Sequence, residues 1–346
     1  MNFDFIKNRI KNEEDLYEIE KAFNFTNKLL LDTYGVQSEL LINHILQVVN
    51  TLIDFNADSS TLCGCILYET VKHGIDKKEL EKEFGDSIAS IAFIASKINS
   101  YESVSIDEEQ RSYLEQLNVE SPEDVRALFI KLATNFYILK QKENLGYIYQ
   151  TKTARETFDI LIPIAERLRL NFIKSKLEDL CLSYLNPEAY NDILNKLNAT
   201  PDVLKKHLNT TKEDILNLLS KNNITCTVKG RVKNIYSIHN KLMNGKTWEE
   251  IYDILALRII VEDESHCSIV AQLIHSQYSF LPSRFKDYIN NPKENMYQSL
   301  HTTIIDKNNR FFEIQIRTNE MNKNAEVGKA SHQSYKEKTL KKKNSN

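Results

Sequence analysis

The spacing of apolar residues changes at about residue 222, and this change constrains the fold more than any other feature. Before it, apolar residues recur at helical spacing, as in Leu41, Ile45, Val48 and Leu52. After it, the chain contains short runs rich in β-branched and aromatic residues, which favour strands. The sequence therefore predicts an α+β protein, in which an all-helical first part precedes a second part that combines a sheet with helices.

Residues that break regular structure are rare, and their positions mark helix ends. The chain of 346 residues contains only 8 glycines and 6 prolines, a composition that favours long helices. Ser121, Asn186 and Thr200 are each followed by a proline and an acidic residue, which is the pattern of a capped helix start. Pro163 lies inside an apolar run and is expected to kink or split its helix.

The second part is predicted to alternate strands with helices. The strands are Ile224–Val228, Leu255–Val261, His301–Ile305 and Phe311–Ile316. The helices are Asn234–Met243, Ser265–Tyr278 and Asn319–Tyr335. The end of the chain, residues 338–346, is rich in Lys and Asn and is expected to be a solvated, disordered tail.

The cysteines and the hydropathy pattern exclude several protein classes. The 5 cysteines form no C-x-x-C pair and no cluster at zinc-ligand spacing, so they are expected to be reduced thiols. The first residues mix acidic and basic side chains, and no apolar run reaches the length of about 18 residues that a membrane span needs. A cytoplasmic protein without a membrane segment is predicted.

Positive charge is concentrated in residues 229–336. This segment holds fifteen Lys and Arg against twelve Asp and Glu, although the whole chain has a net charge of -3. A local basic excess suits an anionic ligand, but ordinary scatter of surface charge explains it equally well.

One predicted helix carries a stripe of polar side chains. If this helix starts near Lys233, then Lys233, Ser237 and Lys241 share one face, and apolar residues occupy another. Two cations and a hydroxyl in a row can bind a polyphosphate. A solvated helix face is nevertheless the commoner explanation of such a stripe.

Two predicted strands carry side chains that suit catalysis. On the last strand Glu313, Gln315 and Arg317 share one face, from which a glutamate can act as general base, although that face can also simply meet water. Asp253 precedes an apolar strand that contains Arg258. The arginine needs a partner or a cleft, and the carboxylate can hold Mg²⁺, although an ordinary loop acid is equally consistent.

The loop from Arg284 to Leu300 concentrates cations, amides and aromatic rings. Such a loop can stack a nucleobase and neutralise phosphate. A plain surface connection is the more frequent case, so the loop alone decides nothing.

Four motifs in these segments resemble the synthetase domain of the RelA/SpoT homologue family, the enzymes of the alarmone (p)ppGpp. They read G-R-V-K-N-I-Y-S-I, Y-D-I-L-A-L-R-I-I-V, R-F-K-D-Y-I-N-N-P-K-E-N-M-Y-Q-S-L-H-T-T and E-I-Q-I-R-T-N-E-M, in the family's order. The resemblance implies a mixed-sheet, nucleotidyltransferase-like synthetase domain over residues 199–337, after linker helices over residues 153–198. It also implies Mg²⁺-dependent transfer of pyrophosphate from ATP to the 3′-hydroxyl of GDP or GTP.

The resemblance further implies a role for each matching residue. The ATP-binding residues would be Arg231 and Arg258, which sandwich the adenine, and Lys233, Ser237 and Lys241, which bind the phosphates. The catalytic and Mg²⁺-binding residues would be Asp253 and Glu313, with Glu313 activating the attacking hydroxyl. The acceptor nucleotide would be bound by Tyr297, stacked on guanine, and by Lys293, Asn295, His301 and Gln315.

Met296 departs from the family pattern, which usually has glycine before the tyrosine. Methionine does not readily take a positive φ, so the fit around guanine is open. Two alternatives follow: transfer to another nucleotide or to an RNA 3′ end, and a non-catalytic nucleotide sensor. The presence of Asp253 and Glu313 argues against the hypothesis of a non-catalytic sensor.

The resemblance also bears on partners. The family's long enzymes carry C-terminal ribosome-sensing domains, whereas this chain ends soon after the synthetase motifs, so direct ribosome binding is not expected. A homo-oligomer, a longer parent protein and the choice between GDP and GTP are left open.

Residues 1–152 resemble the family's HD-type hydrolase domain, which removes the same pyrophosphate with a metal held by His and Asp. His44 stands in place, but Tyr68-Glu69 replaces the His-Asp pair and Lys72-His73 replaces the acidic pair that follows. Thr134 stands where the family has a further aspartate.

These replacements predict that hydrolysis is lost. Tyrosine and threonine are poor ligands for a hard metal, and Lys72 adds positive charge. The alternative is a rearranged metal site made of His44, Glu69 and His73, because the last two lie at i and i+4 on a helix.

Overall fold

The computed structural model describes residues 2–98, 108–117, 121–141, 146–294 and 296–325. Its contacts divide the chain into two compact units, residues 1–188 and residues 189–346. In the described residues, no helix is both long enough and apolar enough to cross a bilayer. The predicted domain boundaries at 152 and 198 remain predictions, as does the tail over residues 338–346, which lies outside the described residues.

The described part of the first unit is helical, as predicted. Its helices are α1 (Phe3–Lys7), α2 (Glu13–Tyr34), α3 (Ser38–Asp54), α4 (Ser59–Lys72), α5 (Lys77–Phe84), α6 (Asp86–Ile98), α7 (Glu108–Gln116), α8 (Pro122–Lys140), α9 (Tyr147–Glu156), α10 (Ile162–Arg167) and α11 (Asn171–Leu185). Helix α12 (Pro187–Leu197) begins at the end of this unit.

Helix α4 forms the centre of the first unit. Its residues are buried from Thr61 to Thr70, and it packs against α2, α3, α6 and α8. A Cβ atom at Gly64 would overlap the side chain of Ile91 on α6. Glycine at this position therefore allows α4 and α6 to approach closely, and the helix that carries Tyr68 and Glu69 lies in the core.

The predicted helix starts are confirmed, and the helix around Pro163 is split, one of the two predicted outcomes. Ser121 and Thr200 cap their helices through side-chain oxygens that accept backbone N–H groups, and α12 begins at Pro187. The helix around Pro163 contains a π-helical turn over Thr157–Leu161, where the N–H of Ile162 donates to the carbonyl of Thr157. Proline lacks an N–H, and the irregular turn directly before it adjusts the helix to this loss.

The second unit combines helices with a mixed sheet. Its elements are α13 (Pro201–Lys221), β1 (Cys226–Val232), α14 (Ile235–Met243), β2 (Leu255–Val261), α15 (Glu264–Gln277), β3 (Ser279–Phe280), β4 (Lys286–Asp287), β5 (Leu300–Ile305) and β6 (Phe311–Thr318). Residues 319–325 are helical, and the rest of the helix predicted to reach Tyr335 lies outside the described residues.

The predicted bounds of the first strand were wrong. Ile224 lies at the end of α13, where its N–H donates to the carbonyl of Leu219, and Asn223 reverses the chain with a φ of 58°. The strand therefore begins later, at Cys226, and runs to Val232. Asparagine tolerates this left-handed conformation better than most residues, which explains why the helix ends there.

The sheet has the order β1-β2-β6-β5-β3, with β4 paired to β5. Strands β2 and β6 are parallel, and the other pairs are antiparallel. One face carries apolar residues such as Leu257 and Ile314 and packs against α13 and α15. Because side chains alternate along a strand, the polar residues between them project from the opposite face.

Candidate functional site

The strand register places three predicted site residues in one row. Arg258 on β2 pairs with Gln315 on β6, which pairs with His301 on β5. Glu313 lies two residues along β6 on the same face, opposite Thr303. Directly paired residues share a face of the sheet, so the polar face unites side chains that are far apart in sequence.

A chain of hydrogen bonds runs across this face. Gln315 Nε2 donates to Glu313 Oε1 at 2.7 Å, and Arg317 Nη2 donates to Gln315 Oε1 at 2.7 Å. The same Arg317 nitrogen lies 2.8 Å from the hydroxyl of Tyr297, and that hydroxyl lies 2.8 Å from His301 Nε2. The predicted base and the predicted stacking residue therefore belong to one network.

Aromatic rings and a lysine surround Tyr297. Its ring centroid is 6.1 Å from that of Tyr288 and 5.7 Å from that of His301. The ammonium of Lys293 lies 4.6 Å from the Tyr288 centroid and 5.3 Å from the Tyr297 centroid. A cation over these rings brings positive charge close to a surface on which a base can stack.

Met296 adopts the left-handed conformation that the sequence made doubtful. Its φ is 58°, and its N–H donates to the carbonyl of Lys293 at 2.8 Å. The N–H of Lys293 in turn donates to the carbonyl of Tyr297 at 3.2 Å. The turn before Tyr297 thus forms with methionine in place of glycine, at a cost in conformational energy. Asn295 lies outside the described residues.

Asp253 lies at the centre of a second polar cluster. Lys241 Nζ donates to its two carboxylate oxygens at 2.7 and 2.8 Å, and Lys233 Nζ donates to Oδ2 at 3.0 Å. Burial alone would raise the pKa of Asp253, but the hydrogen bond from Lys241 and the charge of Lys233 bring it below its ordinary value. The carboxylate is therefore charged at neutral pH.

The predicted helical stripe was wrong in its local structure. Helix α14 begins at Ile235, so Lys233 lies ahead of it, and its N–H donates to the carbonyl of Ile254 at 2.8 Å. The ammonium groups of Lys233 and Lys241 nevertheless meet at Asp253. Ser237 is half-buried on α14. The two cations thus converge because of a shared counter-ion and not because of helical periodicity.

The two arginines predicted to bind adenine differ in their surroundings. Arg258 is half-buried, and its Nη1 donates to Asn322 Oδ1 at 3.3 Å. This bond meets the expectation that an arginine within an apolar strand has a partner. Arg231 is exposed on β1, opposite Ala256 of β2. Its side chain can therefore contact a ligand without breaking packing contacts.

Burial keeps His301 neutral. It lowers the pKa of His301 to about 4, because the opposing charge of Glu313 is outweighed by burial together with Arg317, Lys293 and Lys286. The Nε2 atom that faces Tyr297 can therefore accept the hydrogen of the tyrosine hydroxyl. Burial also raises the pKa of Tyr297, so its hydroxyl remains protonated at neutral pH.

Two residues of this network were not among the predicted site residues. Arg317 is only 1% exposed although it lies on the polar face, and Tyr288 packs against both Tyr297 and His301. The alternation of Glu313, Gln315 and Arg317 was visible in the sequence. This alternation showed that Arg317 shares the face of Glu313 and Gln315. The burial of Arg317 beside Tyr297 gave no signal in the sequence.

An acidic recess of the second unit lies apart from these residues. A cavity of about 290 Å³ is lined by Glu262, Asp263, Glu264, Gln298, Thr318, Glu320, Met321 and Asn324. None of the predicted site residues lines it. Its carboxylates would repel phosphate, so the polar face of the sheet is the better candidate.

Comparisons with known proteins match a different region in each of the two units. The sequence profile described as the region found in RelA and SpoT proteins matches residues 230–340, and the HD-domain profile matches residues 22–170. The chain contains a RelA/SpoT region and an HD domain. Both regions implied by the sequence motifs are thereby confirmed, as is the order in which they occur.

Relatives of the chain include proteins named as pyrophosphokinases and proteins named as pyrophosphohydrolases. A GTP pyrophosphokinase of Myxococcus xanthus is 33% identical over 94% of the chain and 44% of its own length. A guanosine-3′,5′-bis(diphosphate) 3′-pyrophosphohydrolase of Spiroplasma citri is 34% identical over 96% of the chain and 45% of its own length. The chain thus spans less than half the length of these relatives.

A solved structure also resembles part of the chain. Small alarmone synthetase 1 of Bacillus subtilis, solved with its product pppGpp, is 25% identical over 38% of the chain and 77% of its own length, with a TM-score of 0.34.

The HD region holds an ion pair among the residues that were predicted to replace metal ligands. Lys72 Nζ lies 2.9 Å from Glu69 Oε1, and the Glu69 side chain is only 4% exposed. The same ammonium lies 4.9 Å from the centroid of the Tyr68 ring. Thr134 uses its hydroxyl within α8, where it donates to the carbonyl of Ile130 at 2.9 Å.

The alternative metal site is not assembled. His44 packs its ring against Tyr137, and His73 Nε2 lies 3.5 Å from the hydroxyl of Tyr34. Burial and the charge of Lys72 lower the pKa of His44 to about 4. Across the described ranges, no three His, Cys, Asp or Glu side chains are grouped so that they could hold a metal ion.

Proposed function

We propose that the second unit transfers pyrophosphate from ATP to the 3′-hydroxyl of GDP or GTP. The observation that carries this proposal is the hydrogen-bond chain that joins Glu313 to Tyr297 on the polar face of the sheet. It places a carboxylate able to accept a proton in the same network as a ring able to hold a base. The names of the relatives support the same reaction.

The acceptor nucleotide is assigned to the part of the polar face that lies beside Tyr297. The Tyr297 ring would stack on guanine, and the ammonium of Lys293, which lies over that ring, would meet phosphate. His301 and Gln315 lie in one row beside it and would hold the nucleotide by hydrogen bonds. Asn295 completes the proposed set.

ATP is assigned to the edge of the sheet formed by β1 and β2. Arg231 and Arg258 would sandwich the adenine, because a guanidinium stacks well on an aromatic plane. Lys233, Ser237 and Lys241 would bind the phosphates. In the free chain the two ammonium groups neutralise Asp253, so they are already gathered where a polyphosphate would need them.

The residues fit a magnesium ion at Asp253. Mg²⁺ is held by one or two carboxylates and completes its shell with phosphate oxygens and water, and Asp253 offers a carboxylate whose pKa is lowered. Glu313 is the second proposed ligand. When bound, the ion would neutralise the charge of the transferred phosphates.

The proposed step needs one base. The 3′-hydroxyl oxygen of the acceptor forms a bond to the β-phosphorus of ATP, and the bond from that phosphorus to the oxygen of the α-phosphate breaks. AMP leaves, and Glu313 takes the hydroxyl proton. The bond from Gln315 Nε2 holds the Glu313 carboxylate in place, so positioning supplies much of the expected rate enhancement.

A competition assay tests this function. The full chain is incubated with ATP, Mg²⁺ and an equimolar mixture of GDP, GTP, AMP and a short RNA. Modification of GDP or GTP is expected, and Glu313→Gln should slow it at least about 100-fold. The exposed Glu264 provides the control, because Glu264→Gln should retain activity. Preference for AMP or the RNA end would overturn the guanine acceptor, and a folded chain that modifies nothing would indicate a sensor.

We also propose that the HD region does not hydrolyse the alarmone. A divalent cation at Glu69 would have to displace the Lys72 ammonium from this carboxylate, as it would displace the lysines at Asp253, so the proposed loss rests mainly on the missing metal ligands. The remaining side chains do not fit the family's metal, since Tyr68 and Thr134 are weak ligands.

Product analysis of the full chain tests this loss. With ppGpp and either Mg²⁺ or Mn²⁺, no pyrophosphate should be released, and neither metal should change the environment of His44 in NMR spectra. Release of pyrophosphate that disappears in Glu69→Gln would contradict the proposal. His207→Gln is a suitable control, because His207 lies in the second unit.

A further inference from the structure

We infer that Arg317 is a positioning residue that sets the orientation of both Gln315 and Tyr297 around the acceptor nucleotide. This inference rests on the proposed function for its kinetic consequence, but the geometry stands on its own. Arg317 is not one of the residues to which the family motifs assign a role. It acts through its neighbours, which are themselves assigned to the acceptor.

The guanidinium determines which way the Gln315 amide points. Arginine can only donate hydrogen bonds, so the amide atom 2.7 Å from Arg317 Nη2 has to be the oxygen. The amide nitrogen is then directed to Glu313 Oε1, also at 2.7 Å. A flipped amide would place donor against donor and oxygen against carboxylate, and both contacts would be repulsive. Arg317 thus holds the donor that orients the proposed base.

The same nitrogen determines the polarity of the Tyr297 hydroxyl. Because Arg317 donates to its oxygen at 2.8 Å, the hydroxyl can donate its hydrogen to His301 Nε2, also at 2.8 Å. Burial supports this order, since it lowers the pKa of His301 and leaves the ring neutral. All bonds from Arg317 to His301 then run in one direction, which strengthens such chains.

The ring of Tyr297 is held as well as its hydroxyl. The Arg317 guanidinium carbon lies 5.2 Å from the Tyr297 ring centroid. Arg317 is only 1% exposed, so its charge is poorly screened and its contacts are strong. A lysine cannot replace these contacts, because its ammonium is a single point on a flexible stem, whereas the guanidinium is planar and rigid.

The charges around His301 allow an activity-independent test. Three elements bring charged or polar side chains towards this histidine. They are β4 with Lys286, the loop with Tyr288, Lys293 and Tyr297, and β6 with Glu313, Gln315 and Arg317. Removing the charge of Arg317 should raise the pKa of His301, since that charge disfavours the imidazolium.

The test is an NMR titration of the histidine ring protons in the full chain. Arg317→Met is expected to raise the pKa of His301 by at least about 0.5, whereas Arg310→Met, a change just before β6, should leave it in place. If Arg317→Met does not fold, Tyr297→Phe serves instead, because loss of the hydroxyl donor also destabilises the neutral ring. An unchanged titration in the folded variant overturns the inference.

Kinetics provide the second readout. Arg317→Lys should raise the KM for the guanine nucleotide about tenfold, the loss expected for a hydrogen bond to a charged group, and leave the KM for ATP nearly unchanged. In a Tyr297→Phe background the same change should have a smaller effect. Equal increases in both KM values would overturn the positioning role. A chain without turnover but with the titration shift would refute the proposed function alone.

Discussion

The ammonium of Lys241 lies 2.7 Å from Oδ1 and 2.8 Å from Oδ2 of Asp253. Asp253 is a proposed magnesium ligand. The two-point contact with Lys241 holds its carboxylate in a fixed place in the chain without ATP. Under the proposed assignment this contact would have to change on binding of a metal ion, because ammonium and metal would compete for the same oxygens. ATP would then give Lys241 a new partner, so Mg²⁺ and ATP should bind together.

Replacing Lys241 should therefore uncouple the two ligands. In Lys241→Met, Mg²⁺ alone should bind more tightly than in the unaltered chain, because one competing ammonium is gone, whereas ATP should bind more weakly. Isothermal titration with each ligand separately and with both together measures this. Lys246→Met, an exposed lysine beyond α14, is the matched control. Tighter ATP binding in Lys241→Met would contradict the assignment of this lysine to phosphate.

Stability should fall in mildly acidic solution because of two histidines. The pKa values of His44 and His301 are lowered from 6.5 to about 4. Between these values the unfolded chain binds protons that the folded chain does not, so lowering the pH favours unfolding. Each histidine should account for on the order of 2 kcal/mol over this window.

Thermal unfolding at several pH values checks this expectation. The midpoint should be highest above pH 6.5 and should decrease towards pH 4. His44→Gln and His301→Gln should each make the decrease shallower, in the first and the second unit respectively. His266→Gln, which changes a half-buried histidine beside Asp263 in the first turn of α15, should not. A midpoint independent of pH across the window would refute the buried, neutral state of both rings.

Acid should also affect Asp253, but only at lower pH. Because the folded-state pKa of Asp253 is lowered below 3.8, its contribution to stability is present above that value and is lost as the pH falls through the folded-state pKa. Proton uptake followed by NMR of the Asp253 carboxyl carbon should show a midpoint below 3.8. In Lys241→Met this midpoint should move up, since the largest favourable contact is removed. A midpoint that does not move would show that Lys241 does not pair with Asp253 in solution.

Glycine at position 296 should stabilise the turn before Tyr297. A residue with a Cβ atom in the left-handed region costs about 1–2 kcal/mol, part of which glycine loses again through its greater freedom in the unfolded chain. Met296 is 74% exposed, so its side chain contributes little burial. Met296→Gly should therefore raise the free energy of unfolding by about 0.5–1 kcal/mol.

Asn309 provides the comparison for Met296→Gly. It has a φ of 57°, but asparagine tolerates this region, so Asn309→Gly should change stability less. Chemical denaturation of the two variants measures the difference. Destabilisation by Met296→Gly would show that the methionine side chain makes a contact that outweighs the strain.

The alternation of side chains made the faces of β6 predictable. A period of two residues fixes that Glu313 and Gln315 project opposite to Ile314, and the structure confirms it. The bounds of β1 were not predictable from β-branched composition, because the end of α13 takes up Ile224 through a backbone hydrogen bond. Local composition does not show whether a residue between a helix and a strand will join the helix end or the strand.

The site could be predicted in its members but not in its connections. Family motifs named Asp253, Lys233 and Lys241, yet the shared ion pair arises from a loop lysine and a helix lysine that meet only in three dimensions. Likewise, Arg317 was placed on the polar face by alternation, but its burial depends on how the loop before β5 covers it. These long-range contacts have no periodic signature in the sequence.

The most direct test of the central claim follows the fate of the phosphates in a single reaction. The full chain is mixed with ATP, GDP and Mg²⁺, and the products are identified by ³¹P NMR and mass spectrometry. The account predicts AMP and a guanine nucleotide with a pyrophosphate on its 3′-oxygen, formed in equal amounts, and neither product with Glu313→Gln. AMP without the modified nucleotide, or ADP as the product from ATP, would contradict it.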